Sequence, residues 1–300
     1  MQRQNEREVP RFRNDHAFLQ KSFPLTPCVV AAPVAAWSVS SFERDIASRR
    51  SSGSFCANFE MSRSASIRRT PTWLYRLRRM MRTRHVTIDG LRLIAYRRDI
   101  PKHVSQMLVR GDYEMPERCA VAGLLQSEDR VLEIGSCVGL VALTAARIVG
   151  AANVKAFEPN PDAARIAREN FALNDLPVEL VNAAVGIDDG TLDLRVAPDS
   201  WLGASGRRCF DGRTIATPMH AISKVVGAVR PSVLVIDVEG MEDELLPACP
   251  LTGIRTIILE VHPDVIGTEG IERLQVYLRE SGFAPVDSLC SADTQAWQRS

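Results

Sequence analysis

From Arg130 onward the apolar and polar positions alternate between two periods. Short apolar runs at 130–135, 153–158, 178–185, 232–238, 254–261 and 283–288 read as strands. Between them, apolar residues spaced by three and four give helices at 139–149, 161–173, 240–247 and 269–281. Strands alternating with helices predict an α/β architecture, a mostly parallel sheet covered on both faces. Upstream, His85 to Tyr96 reads as a hairpin, because Val86, Ile88, Leu91 and Leu93 flank an Asp89-Gly90 pair that accepts the positive φ angles of a tight turn. Before it, Arg63 to Arg84 holds eight arginines and no acid, interleaved with Trp73, Leu74, Tyr75, Leu77 and Met81. Such a basic amphipathic helix either caps the following domain or lies weakly on an anionic membrane surface. Residues 1–60 show no sustained period, are rich in Ser, Ala, Arg and Pro, and are expected to be disordered. Met61 opens a cleaner sequence and is a candidate start. The expected organisation is an extension over 1–60, a helix and hairpin lead-in over 61–110, and a catalytic domain over 111–300.

Charge sharpens this division. The formal net charge of +1 resolves into +2 for residues 1–60, +11 for 61–110 and −12 for 111–300. An acidic domain repels phosphate backbones, so no nucleic-acid partner is expected. The seven cysteines are widely spaced with no CxxC pair, which suits reduced thiols in a cytoplasm better than a disulfide framework or a zinc site. No apolar run is long enough to span a bilayer. The apolar stretch Cys28 to Trp37 is a poor match to a secretory signal.

The most informative segment is Arg130-Val131-Leu132-Glu133-Ile134-Gly135-Ser136-Cys137-Val138-Gly139. A buried strand ends in a glycine-spaced turn that opens a helix. Gly135 lets backbone approach a ligand, and Gly139 admits close packing at the helix start. The next strand ends in Phe157-Glu158-Pro159, and an acid there is placed to accept both hydroxyls of a ribose. A dinucleotide loop needs a third glycine for its pyrophosphate; this loop lacks it and is preceded by Glu133. That acid, expected to face the crevice, suits the cationic methionine end of S-adenosyl-L-methionine.

With these residues in view, the sequence resembles the FkbM family of methyltransferases over about residues 105–290. The most specific segment is Leu234-Val235-Ile236-Asp237-Val238-Glu239-Gly240-Met241-Glu242. Gly111-Asp112-Tyr113-Glu114 is similar to the family's lead-in. Phe157-Glu158-Pro159 followed by Glu169-Asn170 and Asn174 is similar to its second-strand pattern, and Leu259-Glu260-Val261-His262 to a later strand. Two positions depart: Val235 stands where the family commonly has Lys, and Met219-His220 where it commonly has Leu-Asp. The resemblance implies a class I methyltransferase, Rossmann-like fold with a seven-stranded sheet. It also implies methyl transfer to a hydroxyl of a sugar, glycan or secondary metabolite. The expected cofactor-binding set is Glu114, Glu133, Gly135, Gly139, Glu158, Pro159, Asn182 and Asp237.

For the chemistry, the fourth strand ends in Asp237-Val238-Glu239-Gly240, without the Asn/Asp-Pro-Pro-aromatic loop of enzymes that methylate base amino groups. A sugar hydroxyl is a very weak acid and needs help in losing its proton, so Asp237, Glu239 and His262 are the candidate catalytic residues. No metal ligand is assigned, although Asp237, Glu239 and Glu260 could hold a divalent cation. Glu242, Asp243 and Glu244 read as helix N-terminal charges. Trp201 and Phe210, in or beside a Gly/Ser-rich loop, either cover a substrate or pack the loop. Two rival functions share the pattern: an NAD(P)-dependent oxidoreductase, which thermal shift with NADH against S-adenosylhomocysteine separates, and a methyltransferase-like binding module without catalysis.

Overall fold

The computed structural model describes residues 70–197, 201 and 212–299, all within a compact unit of residues 51–300. The expectations for residues 1–60, for the arginines before Thr70 and for Phe210 lie outside the described residues.

Helix α1 (Thr72–Met81) leads to a hairpin of β1 (His85–Ile88) and β2 (Leu91–Ile94). Its turn residues Asp89 and Gly90 take φ of 49° and 81°, as the Asp-Gly pair requires. Helices α2 (Lys102–Arg110) and α3 (Met115–Leu124) follow. Then come β3 (Val131–Ile134), α4 (Leu140–Val149), β4 (Val154–Phe157), α5 (Pro161–Leu173), β5 (Glu179–Val181), β6 (Ala184–Gly186), β7 (Gly190–Val196) and β8 (Arg213–Ala221). The chain continues through α6 (Ile222–Val229), β9 (Val233–Ile236), a short α7 (Glu242–Leu245), β10 (Thr256–Glu260), α8 (Pro263–Glu280), β11 (Phe283–Pro285) and β12 (Thr294–Arg299).

Seven strands form the main sheet in the order β11-β12-β10-β9-β3-β4-β5. The run from β10 to β5 is parallel, and β12 enters antiparallel beside β10. β3, β9 and β10 are buried on both faces apart from the last residue of β10, so they read as unbroken apolar runs rather than alternations. One core, with Leu140, Leu143 and Ile166, lies on one face of this sheet; the other, with Leu132, Leu234 and Trp297, lies on the opposite face. This is the α/β, mostly parallel, seven-stranded class I methyltransferase architecture.

The lead-in shares the first core through Val86, Ile88, Leu91, Leu93 and Leu108. Polar side chains fix it there. Asn170 accepts from Ile94 N at 2.9 Å and donates to Val138 O at 2.9 Å; Asn174 accepts from Arg92 N at 2.8 Å and donates to Arg92 O at 2.7 Å. Two asparagines one helical turn apart on α5 thus satisfy the edge of β2 and the loop after β3 together. Arg118, wholly buried, pairs with Asp89 and donates to Tyr113 O at 2.9 Å and Gly111 O at 3.1 Å. It ties the hairpin turn to the Gly111–Glu114 segment. Helix α1 turns Leu74, Tyr75 and Arg78 inward and leaves Trp73, Leu77, Met80 and Met81 exposed.

Three differences from the sequence reading have physical causes. The run 178–185 is two strands: after Val181 the chain leaves the main sheet, and β6 joins β8 and β7 in a separate three-stranded sheet. The helix expected at 240–247 shrinks to Glu242–Leu245, because Glu239 and Gly240 both take positive φ. The helix expected at 269–281 begins at Pro263 and kinks at Gly267, with φ of 69°. Among the described residues, no helix is long and apolar enough to cross a membrane.

Candidate active site

The chain runs outward from β3 through β4 to β5, then returns to β9 on the other side of β3. Ligands of open α/β sheets sit at such a reversal, beyond the carboxyl ends of the strands. A cleft with about 830 Å³ of empty space, counting the part open to solvent, lies there. Its floor comes from Gly135 and Cys137 after β3, Glu158 and Pro159 after β4, and Asp237, Val238 and Glu239 after β9. The small sheet supplies apolar walls with Ala184, Leu192 and Met219, and Trp201 closes one side.

Gly135 is fixed by geometry. Its φ is 90°, and a Cβ there would stand 1.8 Å from the carbonyl oxygen of Asp237. The ends of β3 and β9 therefore touch backbone to backbone. Gly139, with φ of 78°, is packed under the Phe171 ring, 2.4 Å from where its Cβ would be.

Glu158 is buried, and its two oxygens accept from Cys137 N at 2.7 Å and Asn160 N at 2.8 Å. The backbone of Ser136 adds a third contact, and a carboxylate's roughly four acceptor sites still leave room for a donor in the cleft. Burial pushes its pKa up to about 7 against these backbone bonds, and Glu239 adds to the rise. Asn182 does not line the cleft; it donates to Glu158 O at 2.8 Å and Pro159 O at 3.1 Å, and so shapes the loop that carries the carboxylate.

Glu133 lies beneath the loop instead of facing the cleft. It accepts from Ser136 Oγ at 2.8 Å and from the backbone of Ala142 in the first turn of α4, and burial raises its pKa to about 8. The expectation that it faces the crevice is corrected on this point: its carboxylate braces the glycine turn. Glu114, at φ 46°, has a buried Oε2 with no hydrogen-bond partner among the described residues.

At the ends of β9 and β10 stands a second group. His262 Nδ1 meets Glu242 Oε1 at 2.7 Å, while Nε2 lies 3.2 Å from Glu239 Oε2 and 3.8 Å from Asp237 Oδ1. Burial works to lower the imidazole pKa, but the hydrogen bonds to Glu239 and Glu242 and the charge of Asp237 outweigh it and raise it to about 11. Both nitrogens of His262 are thus engaged by carboxylates, Nδ1 by Glu242 and Nε2 by Glu239 with Asp237 nearby. Asp237 and Glu239 line the cleft, and His262, the third candidate, is held against both of them. Burial and the neighbouring carboxylates of Glu260 and Glu239 push the Asp237 pKa up. Glu242 opens the first turn of α7, as expected, and its carboxylate is fully buried, held by Gly240 N at 2.9 Å and by His262.

The family's departures are explained in part. Val235 pairs in register with Glu133 and Ile258 and is buried within the sheet. Met219 lines the cleft, and its Sδ packs against Gly186. His220 turns an edge to the Phe157 ring, 6.2 Å between centroids.

The residues present fit S-adenosylmethionine. Glu158 offers acceptors to a ribose diol, and apolar faces from Phe157, Leu192 and Met219 suit an aromatic base. Asp237 and Glu239 line the same cleft and offer carboxylate acceptors to a cationic ligand.

A curated relative, the ribosomal protein L11 methyltransferase of Geobacter sulfurreducens, is 41% identical over 69 residues, 23% of this chain and 23% of that protein. The match thus spans about a quarter of that relative's length. Among solved structures, the ribosomal protein L11 methylase of Lactobacillus delbrueckii subsp. bulgaricus is 14% identical and covers 63% of this chain and 79% of its own, with a TM-score of 0.38. The O-methyltransferase of Bacillus cereus in complex with SAH is 15% identical, with coverages of 62% and 81% and a TM-score of 0.38. The model of the methyltransferase FkbM domain matches residues 133–285, from the strand bearing Glu133 to the end of β11. That match takes in the glycine turn, the Glu158 loop and the Asp237–His262 group, and it places the chain in the FkbM family of S-adenosylmethionine-dependent methyltransferases.

Proposed function

We propose that the protein methylates a hydroxyl oxygen on a sugar, a glycan or a small metabolite. The observation that carries this reading is the shared wall: Gly135 and Glu158 of the cofactor cradle line the same cleft as Asp237 and Glu239. When bound, the cofactor supplies an electrophilic methyl group on a sulfonium. Glu158 binds its ribose, and Gly135 gives it room against the backbone. Asp237 and Glu239 would orient the acceptor hydroxyl, and one carboxylate oxygen of the two would take its proton. Trp201 and the small sheet keep water from the reacting atoms. Positioning supplies much of the rate, and a proton acceptor adds about 10²–10⁴-fold. The acidic surface of the domain supports a small or glycosidic acceptor over a nucleic acid.

The test is incubation of a source-cell extract with methyl-tritiated cofactor and the purified chain, followed by separation into glycan, lipid, small-molecule, nucleic-acid and protein pools. The label is expected as an O-methyl group in the glycan or small-molecule pool. Asp237→Asn is expected to cut turnover on that acceptor by 10²-fold or more, with S-adenosylhomocysteine affinity within a few-fold. A methyl group on nitrogen or carbon refutes the hydroxyl reading.

A further inference from the structure

The group at the ends of β9 and β10 has more order than an acid patch requires. Asp237, Glu260 and His262 each offer one ligand atom, and these atoms lie within 4.8 Å of one another. Two ligands of one metal ion, each about 2.0–2.2 Å from it, stand at most about 4.4 Å apart. The three are therefore within a few tenths of an ångström of a shared coordination sphere. The supporting residues are also in place. Glu242, fully buried and anchored on Gly240 N, takes the Nδ1 side of His262 at 2.7 Å, which turns Nε2 toward Asp237 and Glu239. A carboxylate on the far nitrogen of an imidazole is the arrangement that fixes tautomer and orientation in metal-binding histidines. A further observation points to a cation: Asp237 Oδ1, on the His262 side, is a buried atom with no hydrogen-bond partner.

We propose that Asp237, Glu260 and His262 Nε2 bind one divalent first-row metal ion at the acceptor end of the cleft, with Glu242 as the positioning residue. An imidazole among the donors suits manganese, iron, cobalt or zinc better than magnesium or calcium. Asp237 lines the cleft, so the ion adjoins the place where the acceptor hydroxyl is read to sit. A bound cation there makes that hydroxyl easier to deprotonate, and Glu239, beside the ligands, is placed to take the proton. This role rests on the hydroxyl reading; the binding of the ion does not.

The test uses the purified full chain, freed of metal with a chelator and titrated with Mn²⁺ alone. Loss of the free-ion electron paramagnetic resonance signal reads the stoichiometry, and electron-spin-echo modulation reads nitrogen coupling. One Mn²⁺ per chain is expected, with a coupled imidazole nitrogen that vanishes in His262→Gln. Asp237→Asn and Glu260→Gln are expected to weaken binding about 100-fold, and Glu242→Gln about 10–100-fold, as supporting carboxylates do. Glu269→Gln, on an exposed helical position, controls for surface binding. Thermal melts and S-adenosylhomocysteine calorimetry on each variant show that it folds. Folded wild type that binds no Mn²⁺, or binding undiminished in folded Asp237→Asn and His262→Gln, overturns the inference. An O-methyl product formed at full rate in chelator overturns the ion's role and leaves the hydroxyl reading intact. A methyl group on nitrogen overturns the hydroxyl reading whatever the titration shows.

Discussion

Gly135→Ala is the substitution whose effect follows most directly from coordinates. Two costs combine. The residue sits at φ of 90°, where a side chain is strained by about 1–3 kcal/mol. The new methyl carbon would also stand 1.8 Å from the Asp237 carbonyl oxygen, which belongs to backbone and cannot swing aside. Relieving that overlap means parting the ends of β3 and β9, where Asp237 N donates to Ile134 O at 2.8 Å. Forcing extra atoms into packed structure costs about 1–3 kcal/mol more, and losing that hydrogen bond about 1 kcal/mol. The variant is expected to lose at least about 3 kcal/mol of stability, or about 6–12 °C in melting temperature for a domain of this size. Whatever strain the fold absorbs by opening the cleft should appear as weaker binding. Urea denaturation read by circular dichroism gives the first quantity, and calorimetry with S-adenosylhomocysteine the second. A variant within 1 kcal/mol of wild type that binds the ligand within three-fold would refute the close approach of the two strand ends.

Three further expectations follow from the same structure. Cofactor binding should release a proton near neutral pH: the Glu158 pKa is raised by burial to about 7, while a ribose diol donating to its oxygens favours the charged form. Affinity should therefore rise with pH from about 5 to 7, by at most about tenfold per unit, and flatten above; calorimetry at pH 6 in two buffers of different ionisation enthalpy reads the proton, and Glu158→Gln should abolish it. The apo protein has the opposite trend from this group, because the folded state holds the proton more tightly than the unfolded chain and loses stability as pH rises from the ordinary carboxylate value through 7. Arg118→Met should cost about 3–5 kcal/mol, because it leaves the buried Asp89 carboxylate unpaired; an added Asp89→Asn that recovers nothing in a denaturation series would contradict the pairing. Asn170→Ala should speed hydrogen exchange at the Ile94 amide, whose partner it removes, and cost about 1–3 kcal/mol for each buried group left unsatisfied.

How far the sequence carried depended on how each element earns its stability. α5 was readable to the residue, since Asn160 caps it through a bond from Asp162 N and proline follows at its first position. β3, β9 and β10 were readable because burial on both faces leaves no polar alternation. β7 and β8 were not, because half of each faces outward and their polar residues look like loop. β12 was missed although Trp297 and Ala296 are fully buried, because Thr, Gln and Arg surround them. In the site, Gly135, Glu158, Asp237 and Glu239 announced themselves as acids and glycines at strand ends. The partners of those residues did not. Nothing in local pattern says that Glu242 turns inward to His262, twenty residues away, or that Glu133 braces a helix.

The docking of the hairpin on α5 has a consequence for how the chain is made. Ile94 and the side chain that receives its amide are 76 residues apart, and Arg92 and Asn174 are 82 apart. A ribosome adding about 5–20 residues per second leaves the hairpin waiting roughly 4–15 s for its dock. Through that interval Leu91, Leu93 and Ile94, all buried in the finished fold, face solvent or a chaperone, on a strand edge whose polar groups are still unmet. The stretch of the protein most exposed to misassembly during synthesis is therefore not the catalytic sheet but the small hairpin that precedes it.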